Sequence, residues 1–326
     1  MKPRIGLVGA GMMGAAHLRS WRAVGVEPVG VVAENGDLAN AFAQAHGVRA
    51  FASFEALLDV CSAVDLCVPT DLHAPLTLHA AERGLDVVCE KPLARTIADG
   101  RAMIDACRRH GVLLLVAQVL RFFPPYRRAH ELIASGALGP LTRLELRRAS
   151  SVPPGSWYRD TRRSGGLALD LLVHDVDYAC SLLGRPSEVR REAGPHDATT
   201  RPHDAGAGPH DADGAETVRL HLRWPDGASA VIDGSWDLPG ATTGFRLEGD
   251  AGALWSEGGR LYLEPRTPAG DDRACNDRAT EIEVDATGPY ELQARHLLRA
   301  LEREAPFEVD AEEALLAVEV CTHDEP

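Results

Sequence analysis

The stretch Gly9-Ala10-Gly11-Met12-Met13-Gly14 limits the fold more than any other, because an apolar run at 4–8 leads into it and a helical pattern at 15–24 follows. Gly9 permits a tight turn, Gly11 lets the backbone approach a pyrophosphate, and Gly14 allows the helix to pack closely on the sheet. The helix opening at Met12 and Met13 turns free N–H groups and the positive end of its dipole towards an anion. A purely structural glycine turn is the competing reading. The motif's place in the first unit of an alternating chain tells against it.

That alternation continues to about residue 120. Candidate strands at 4–8, 28–32, 49–51, 64–68, 86–89 and 112–117 are separated by helical patterns near 15–24, 37–46, 54–59, 74–83 and 97–110. Thr96 with Asp99 in the first turn starts the last helix and Gly111 stops it. Repeated units of this kind predict a doubly wound parallel sheet covered on both faces, a dinucleotide-binding domain over residues 1–120. After Gln118 the character changes. A helix is expected at 124–135, a turn at Gly139-Pro140, and a half-buried strand at 141–149 with Leu144 and Leu146 on one face and Arg143, Glu145 and Arg147 on the other. Further alternating runs at 218–224, 228–236, 245–248, 253–256, 261–264 and 281–284, then helices near 290–304 and 311–321, complete an α+β domain over 121–326 with a large, mostly antiparallel sheet. The fold class is α/β.

With 48 acidic against 34 basic residues the formal charge is −14, so the average field repels phosphate backbones and anionic membranes. No run approaches the roughly 18 apolar residues of a membrane helix, and the N-terminal apolar run is too short for a signal peptide. Seven cysteines form no Cys-x-x-Cys pair and several sit in apolar runs, which fits packed, reduced thiols in a cytoplasmic protein without a metal site. Pro195-His196-Asp197-Ala198 recurs at Pro202 and Pro209. Three His-Asp pairs can bind a divalent ion, but a stretch so poor in apolar side chains reads better as a flexible loop, about 194–215.

The acid that grips an adenosine ribose belongs at the end of the second strand. There the chain reads Val32-Ala33-Glu34, and Glu34 either reaches a 2′-hydroxyl, favouring NAD over NADP, or is merely solvated. Later strands end in Pro69-Thr70-Asp71-Leu72-His73 and Glu90-Lys91-Pro92, which sets Pro69, Thr70, His73, Glu90, Lys91 and Gln118 at the carboxyl edge of the sheet, where the nicotinamide end of a dinucleotide would lie. In the stretch 166–184, Asp170, His174, Asp177 and Ser181 recur at helical spacing. Taken alone, this pattern suits a satisfied histidine beside a solvated acidic stripe better than an acid/base pair facing a cleft.

With these residues together the chain resembles the Gfo/Idh/MocA family of NAD(P)-dependent oxidoreductases. The matching pieces are Gly9 to Gly14, Pro69-Thr70 with His73, Glu90-Lys91-Pro92, Arg121-Phe122 with Pro124, Gly136-Ala137-Leu138-Gly139, and Gly165-Gly166-Leu167 followed by Asp170 and His174. Ala33, where many members carry an acid, is a departure that leaves the choice between NAD and NADP open. The resemblance implies a catalytic group of Lys91, Asp170 and His174. His174 would exchange the hydroxyl proton, Lys91 would stabilise the alkoxide and Asp170 would orient the hydroxyl. It implies a polyol, cyclitol, sugar or sugar derivative as substrate, with Arg121, Trp157, Tyr158 and Arg159 as further candidate contacts. The arginines 159, 162 and 163 could meet a carboxylate or phosphate on such a substrate, but they read better as a solvated basic loop. It also implies a homodimer or homotetramer through the C-terminal sheet. The rivals are a non-catalytic dinucleotide sensor and an NAD-using hydrolase or lyase. Asp177 and Ser181, one and two turns beyond His174, become structural candidates, and Asp175 points off the face.

Overall fold

The computed structural model describes residues 2–152, 156–193, 217–266 and 279–323; Pro153-Pro154, the three Pro-His-Asp-Ala repeats and Cys275 lie outside the described residues. Strands β1 (Ile5–Val8), β2 (Gly30–Val32), β3 (Ala63–Leu66), β4 (Asp86–Glu90) and β5 (Leu114–Ala117) form a parallel sheet in the order β2-β1-β3-β4-β5. Helices α1 (Met12–Ala23), α2 (Gly36–His46), α3 (Phe54–Leu58), α4 (His73–Glu82) and α5 (Ile97–His110) connect and cover it. Thr96 caps α5 through the Asp99 N–H, and Gly111 ends it in the left-handed region. The strand expected at 49–51 is reduced to a single parallel bridge between Val31 and Ala50. Ser53 caps α3 only two residues after Phe51, so the chain leaves the sheet edge before a ladder can form. Strand order reverses between β1 and β3, and this is where an open α/β sheet leaves a crevice at its carboxyl edge.

The second sheet has eight strands: β6 (Leu141–Ser151), β7 (Glu188–Ala193), β8 (Thr217–Arg223), β9 (Ser229–Ser235), β10 (Asp237–Gly249), β11 (Gly252–Glu257), β12 (Arg260–Pro265) and β13 (Thr280–Ile282). Their order is β13-β12-β11-β10-β6-β9-β8-β7, antiparallel except for the β6–β9 pair. β7 was not expected, because Glu188-Val189-Arg190-Arg191-Glu192 carries one large apolar side chain; pairing with β8 holds it as the edge strand. β10 begins well before residue 245 because it pairs along β6, with a register shift between Asp237 and Thr242.

Between these strands lie α6 (Pro124–Ala134), α7 (Ser156–Arg159), α8 (Thr161–Ser164) and α9 (Val173–Leu183), and α10 (Pro289–Leu301) and α11 (Ala311–Cys321) close the chain. The stretch 166–184 is not the regular α-helix its spacing suggests, since a π-helical turn, Ala168–Leu172, precedes α9. Leu167 and Leu172 both pack over Gly234 of β9, where an added Cβ would meet them at 2.8 and 2.6 Å. Two side chains five residues apart share a face when the backbone repeats at i+5 rather than i+4. One apolar core runs from Leu66 and Val87 through Phe122 and Tyr126 to Leu146, Leu220 and Ile232, so both sheets are packed on a common interior. α10 returns to the first sheet, where Leu297 and Ala300 join Leu18 and Trp21 of α1.

Candidate active site

The glycine turn divides its three roles by geometry. Gly9 has φ of +113°, and a Cβ there would lie 2.2 Å from the Cys67 carbonyl oxygen; a Cβ on Gly14 would lie 2.2 Å from the Gly9 oxygen. Those two glycines are needed for the turn and the packing. Gly11, by contrast, has nothing within 4 Å of the position its Cβ would take, and as N-cap of α1 it offers no side chain to the first N–H groups. The open backbone at Gly11 adjoins the unsatisfied N–H donors of the first turn at Met12 and Met13, an arrangement that suits a pyrophosphate. Beyond β2, Ala33 is partly buried and Glu34 exposed, while Asn35 caps α2.

Lys91 follows the last residue of β4. Its Nζ donates to the Asp170 carbonyl oxygen at 2.6 Å and lies 3.4 Å from Asp170 Oδ1, joining residues 79 positions apart. Asp170 is buried within the π turn. His174 is partly exposed, and its Nδ1 is buried without a hydrogen-bond partner among the described residues. Burial, then the Lys91 ammonium, then the Arg148 guanidinium hold its pKa well below the ordinary histidine value. The imidazole is therefore neutral at pH 7, the form that accepts a proton. Arg148 is itself paired with buried Asp175 at 2.5 Å. Asp175, set aside on spacing, thus anchors a cation close to His174.

Tyr158 stands beside the same carboxylates: burial, then Asp170 and Glu90, push its hydroxyl up to about 12. Trp157 stacks on it at 3.9 Å between ring centroids. Gln118, just past β5, has no exposed surface and no partner for either side-chain atom among the described residues. Orphaned buried amides are rare, and this one stands at the carboxyl edge of the sheet with its hydrogen-bonding capacity unused. The dinucleotide expected here fits the open Gly11 backbone and this unpaired carboxamide.

Other expected contacts are engaged elsewhere. His73 is fully buried, with Nδ1 2.9 Å from the Pro92 carbonyl oxygen and Nε2 3.1 Å from that of Val68, so it clamps the Glu90-Lys91-Pro92 turn. Thr70 is buried as well. Arg121 is engaged within the chain: it forms two bonds of 2.7 Å to Asp177 and a third of 2.7 Å to Glu313. That pairing also fixes Asp177 as structural, and Ser181 donates to the Tyr178 carbonyl. Arg162 pairs with Asp160 and Arg163 with Asp71, while Arg159 is exposed.

Two features escaped the reading of spacing. Asp65, a carboxylate inside an all-buried strand, demanded a partner and has one in His17. Lysine usage is the other signal, because of the 34 Lys and Arg residues only Lys2 and Lys91 are lysines. A chain that uses arginine for almost every surface cation keeps a lysine at this turn.

Residues 3–118 match the family model described as the oxidoreductase family, NAD-binding Rossmann fold, and residues 126–255 match the GFO/IDH/MocA C-terminal domain. The 1,5-anhydro-D-fructose reductase of Ensifer adhaerens is 31% identical over 75% of this chain and 74% of its own length. The chain belongs to the Gfo/Idh/MocA family. Another Gfo/Idh/MocA relative, D-xylose 1-dehydrogenase (NADP(+)) 2 of Haloferax volcanii, is 29% identical over 82% of this chain and 78% of its own. In fold, this Gfo/Idh/MocA chain superposes on levoglucosan dehydrogenase, solved with NADH and levoglucosan, with a TM-score of 0.82 at 23% identity over 98% and 95% of the two chains.

Proposed function

We propose that the chain is an NAD(P)-dependent dehydrogenase or reductase that transfers a hydride between the nicotinamide and a CH–OH carbon of a sugar, cyclitol or sugar derivative. The meeting of Lys91, Asp170 and a neutral His174 at the carboxyl edge of the parallel sheet carries this reading. The relatives named as reductase or dehydrogenase of sugar compounds support the substrate class.

Gly11 and Gln118 would hold the dinucleotide, whose nicotinamide would supply the hydride acceptor or donor. The remaining steps belong to this chain. His174 takes the hydroxyl proton at its free imidazole nitrogen during oxidation and returns it during reduction. Lys91, tethered by the Asp170 carbonyl, faces the oxygen with a positive charge as that oxygen becomes an alkoxide. Asp170 accepts a hydrogen bond from the substrate hydroxyl and fixes its direction. Trp157 and Tyr158 offer a stacked aromatic surface to a sugar ring. Arg121, buried against Asp177, is left out of the substrate contacts.

In this reading residues 1–120 hold the dinucleotide and residues 121–326 the substrate and the subunit contact. Glu34 favours NAD by accepting from a ribose 2′-hydroxyl and repelling a 2′-phosphate. The outer face of the eight-stranded sheet, where Trp255 stacks on Tyr262 with centroids 5.5 Å apart, suits a homodimer or homotetramer. Among the described residues no helix is long and apolar enough to cross a membrane, and the cytoplasm is the proposed location. The test is a screen of sugars, inositols and their acids for a change in NAD(P)H absorbance with both cofactors. Turnover of at least one is expected; tight NAD binding with no turnover would replace the enzyme by a dinucleotide sensor.

A further inference from the structure

Asp65 lies in β3 with no exposed surface, between Val64 and Leu66, where a lone carboxylate would be costly. It is fully engaged. Trp21 Nε1 donates to Oδ2 at 2.7 Å, His17 Nδ1 lies 2.9 and 3.0 Å from the two oxygens, and Cys67 Sγ lies 3.6 Å from Oδ1. The other ring nitrogen of His17, Nε2, is 2.8 Å from Glu90 Oε1, and Glu90 Oε2 accepts the Lys91 backbone N–H at 3.0 Å. A single buried line of polar groups therefore runs from the middle of the parallel sheet, through the helix that starts at the glycine turn, to the residue bearing the ammonium.

The ligating atoms of His17, Asp65 and Cys67 lie within 4.8 Å of one another. The His17–Asp65 separations are hydrogen-bond lengths, however, and burial with the nearby Asp65 charge pushes the Cys67 thiol up to about 12, so it stays protonated. The cluster is a hydrogen-bond network.

We propose that His17 is a positioning residue for Lys91: its Nε2–H holds the Glu90 carboxylate in the orientation that leaves Oε2 to receive the Lys91 backbone N–H, and so fixes the root of the lysine side chain opposite Asp170. The proposal rests on the oxidoreductase reading given above. A lysine stem is long and flexible, and here it is pinned at both ends, by Glu90 at the backbone and by the Asp170 carbonyl at Nζ. His17 faces a carboxylate at each nitrogen and so can serve only as a donor at both. Burial opposes its charge, but Asp65 holds its pKa well above the ordinary value.

Because Lys2 and Lys91 are the only lysines, acylation of the full chain by a succinimidyl ester, read by peptide mass spectrometry, reports Lys91 against an internal reference without any substrate. Asn at position 17 sets its amide nitrogen where Nδ1 lies and reaches Asp65 but not Glu90. Gln sets its nitrogen near Nε2 and still donates to Glu90. His17→Asn is expected to raise the Lys91:Lys2 acylation ratio at least about threefold and to lower kcat at least about tenfold, with NADH affinity within about twofold of the native value. His17→Gln is expected to stay within about twofold of the native protein in both ratio and kcat. Trp21→Phe, which removes a donor on the far side of Asp65, is expected to lower Tm without moving the ratio. Equal ratios in the Asn and Gln variants, or a native ratio in the Asn variant, would overturn the proposal. Should the Asn variant not fold, Glu90→Ala breaks the same link, and an unchanged ratio there overturns it as well. A native protein that turns over no sugar would count against the oxidoreductase reading alone, since the ratio is measured without turnover.

Discussion

Lys91 Nζ donates to the main-chain carbonyl of Asp170 at 2.6 Å, closer than its 3.4 Å approach to the Asp170 carboxylate. The lysine is thus docked by an atom that no side-chain substitution removes. Asp170→Asn is expected to keep Lys91 in place and to lower kcat less than Lys91→Ala, which should cost at least about 10²-fold. Lys91→Arg should be nearly as damaging, because a planar guanidinium cannot replace a compact ammonium in the same socket. Steady-state kinetics with one accepted sugar, beside NADH binding that survives in all three variants, checks this; near-native turnover in Lys91→Ala would remove the residue from the mechanism.

Gly9 and Gly11 belong to one motif but answer to different constraints. Gly9→Ala puts a methyl group 2.2 Å from the Cys67 carbonyl oxygen at a positive φ, and the variant should lose several kcal/mol of stability, about 2 or more. Gly11→Ala fills open space and should melt like the native protein while binding NADH at least about tenfold more weakly. Thermal melts paired with fluorescence titration separate the two; equal affinity for Gly11→Ala and the native chain would move the pyrophosphate elsewhere.

Two histidines carry opposite pH signatures. His174 has its pKa lowered from the usual 6.5 by burial, Lys91 and Arg148, so its contribution to stability is present above that value and is lost as pH falls through its folded pKa. His17 is raised above 6.5, so its contribution is present below 6.5 and is lost as pH rises through the higher folded value. Relative to the native chain, His174→Asn should therefore gain Tm on acidification below about pH 6.5, and His17→Asn should recover Tm as the solution is made alkaline. Parallel Tm-against-pH curves for native and variant chains would contradict both assignments.

Arg121 and Asp177 form an ion pair whose side chains are 11% and 0% exposed. Removing either partner leaves a buried charge without compensation, and Asp177→Ala or Arg121→Ala should each cost about 3–5 kcal/mol in denaturant unfolding. Arg121→Met combined with Asp177→Leu should recover most of that loss and retain the native KM for substrate. A KM that rises sharply in this stable double variant would return Arg121 to the substrate site.

Glu34, exposed just beyond β2, is the acid proposed to choose between the two dinucleotides. Glu34→Ser should raise the ratio of kcat/KM for NADP over NAD at least about tenfold by removing a negative charge from the 2′ position. An unchanged ratio would mean the side chain is only solvated.

The fold could be read from the sequence because its signals are local: a glycine turn between strand and helix, apolar runs at regular intervals, and alternation along β6 and β9. β7 was hidden because its charges obscure the alternation, and only the neighbouring strand explains it. The site divides on the same line. Lys91 was legible as a charge at a strand end, but the partners that engage Arg121, Asp177 and Glu313, could not be read because they are 56 and 192 residues away. Asp175 seemed idle until Arg148 on β6 was seen beside it. His17 looked like one more residue of a helix, although Asp65 inside a buried strand was a visible request for a donor. Spacing shows which residues share a face, and it cannot show which distant group that face meets.

The π turn at Ala168–Leu172 adds a last constraint, on length rather than on chemistry. A helix advances about 100° per residue, so deleting Leu171 or Leu172 would tighten the turn to α geometry and swing Asp170 about 100° around the axis relative to His174. Every residue proposed for the chemistry would still be present, yet the carbonyl that docks Lys91 would face another direction. In this chain the count of residues between the sheet and α9 is as much a determinant of the site as their identities, and a homologue or design that preserves the side chains but not that count would carry the same letters without the same arrangement.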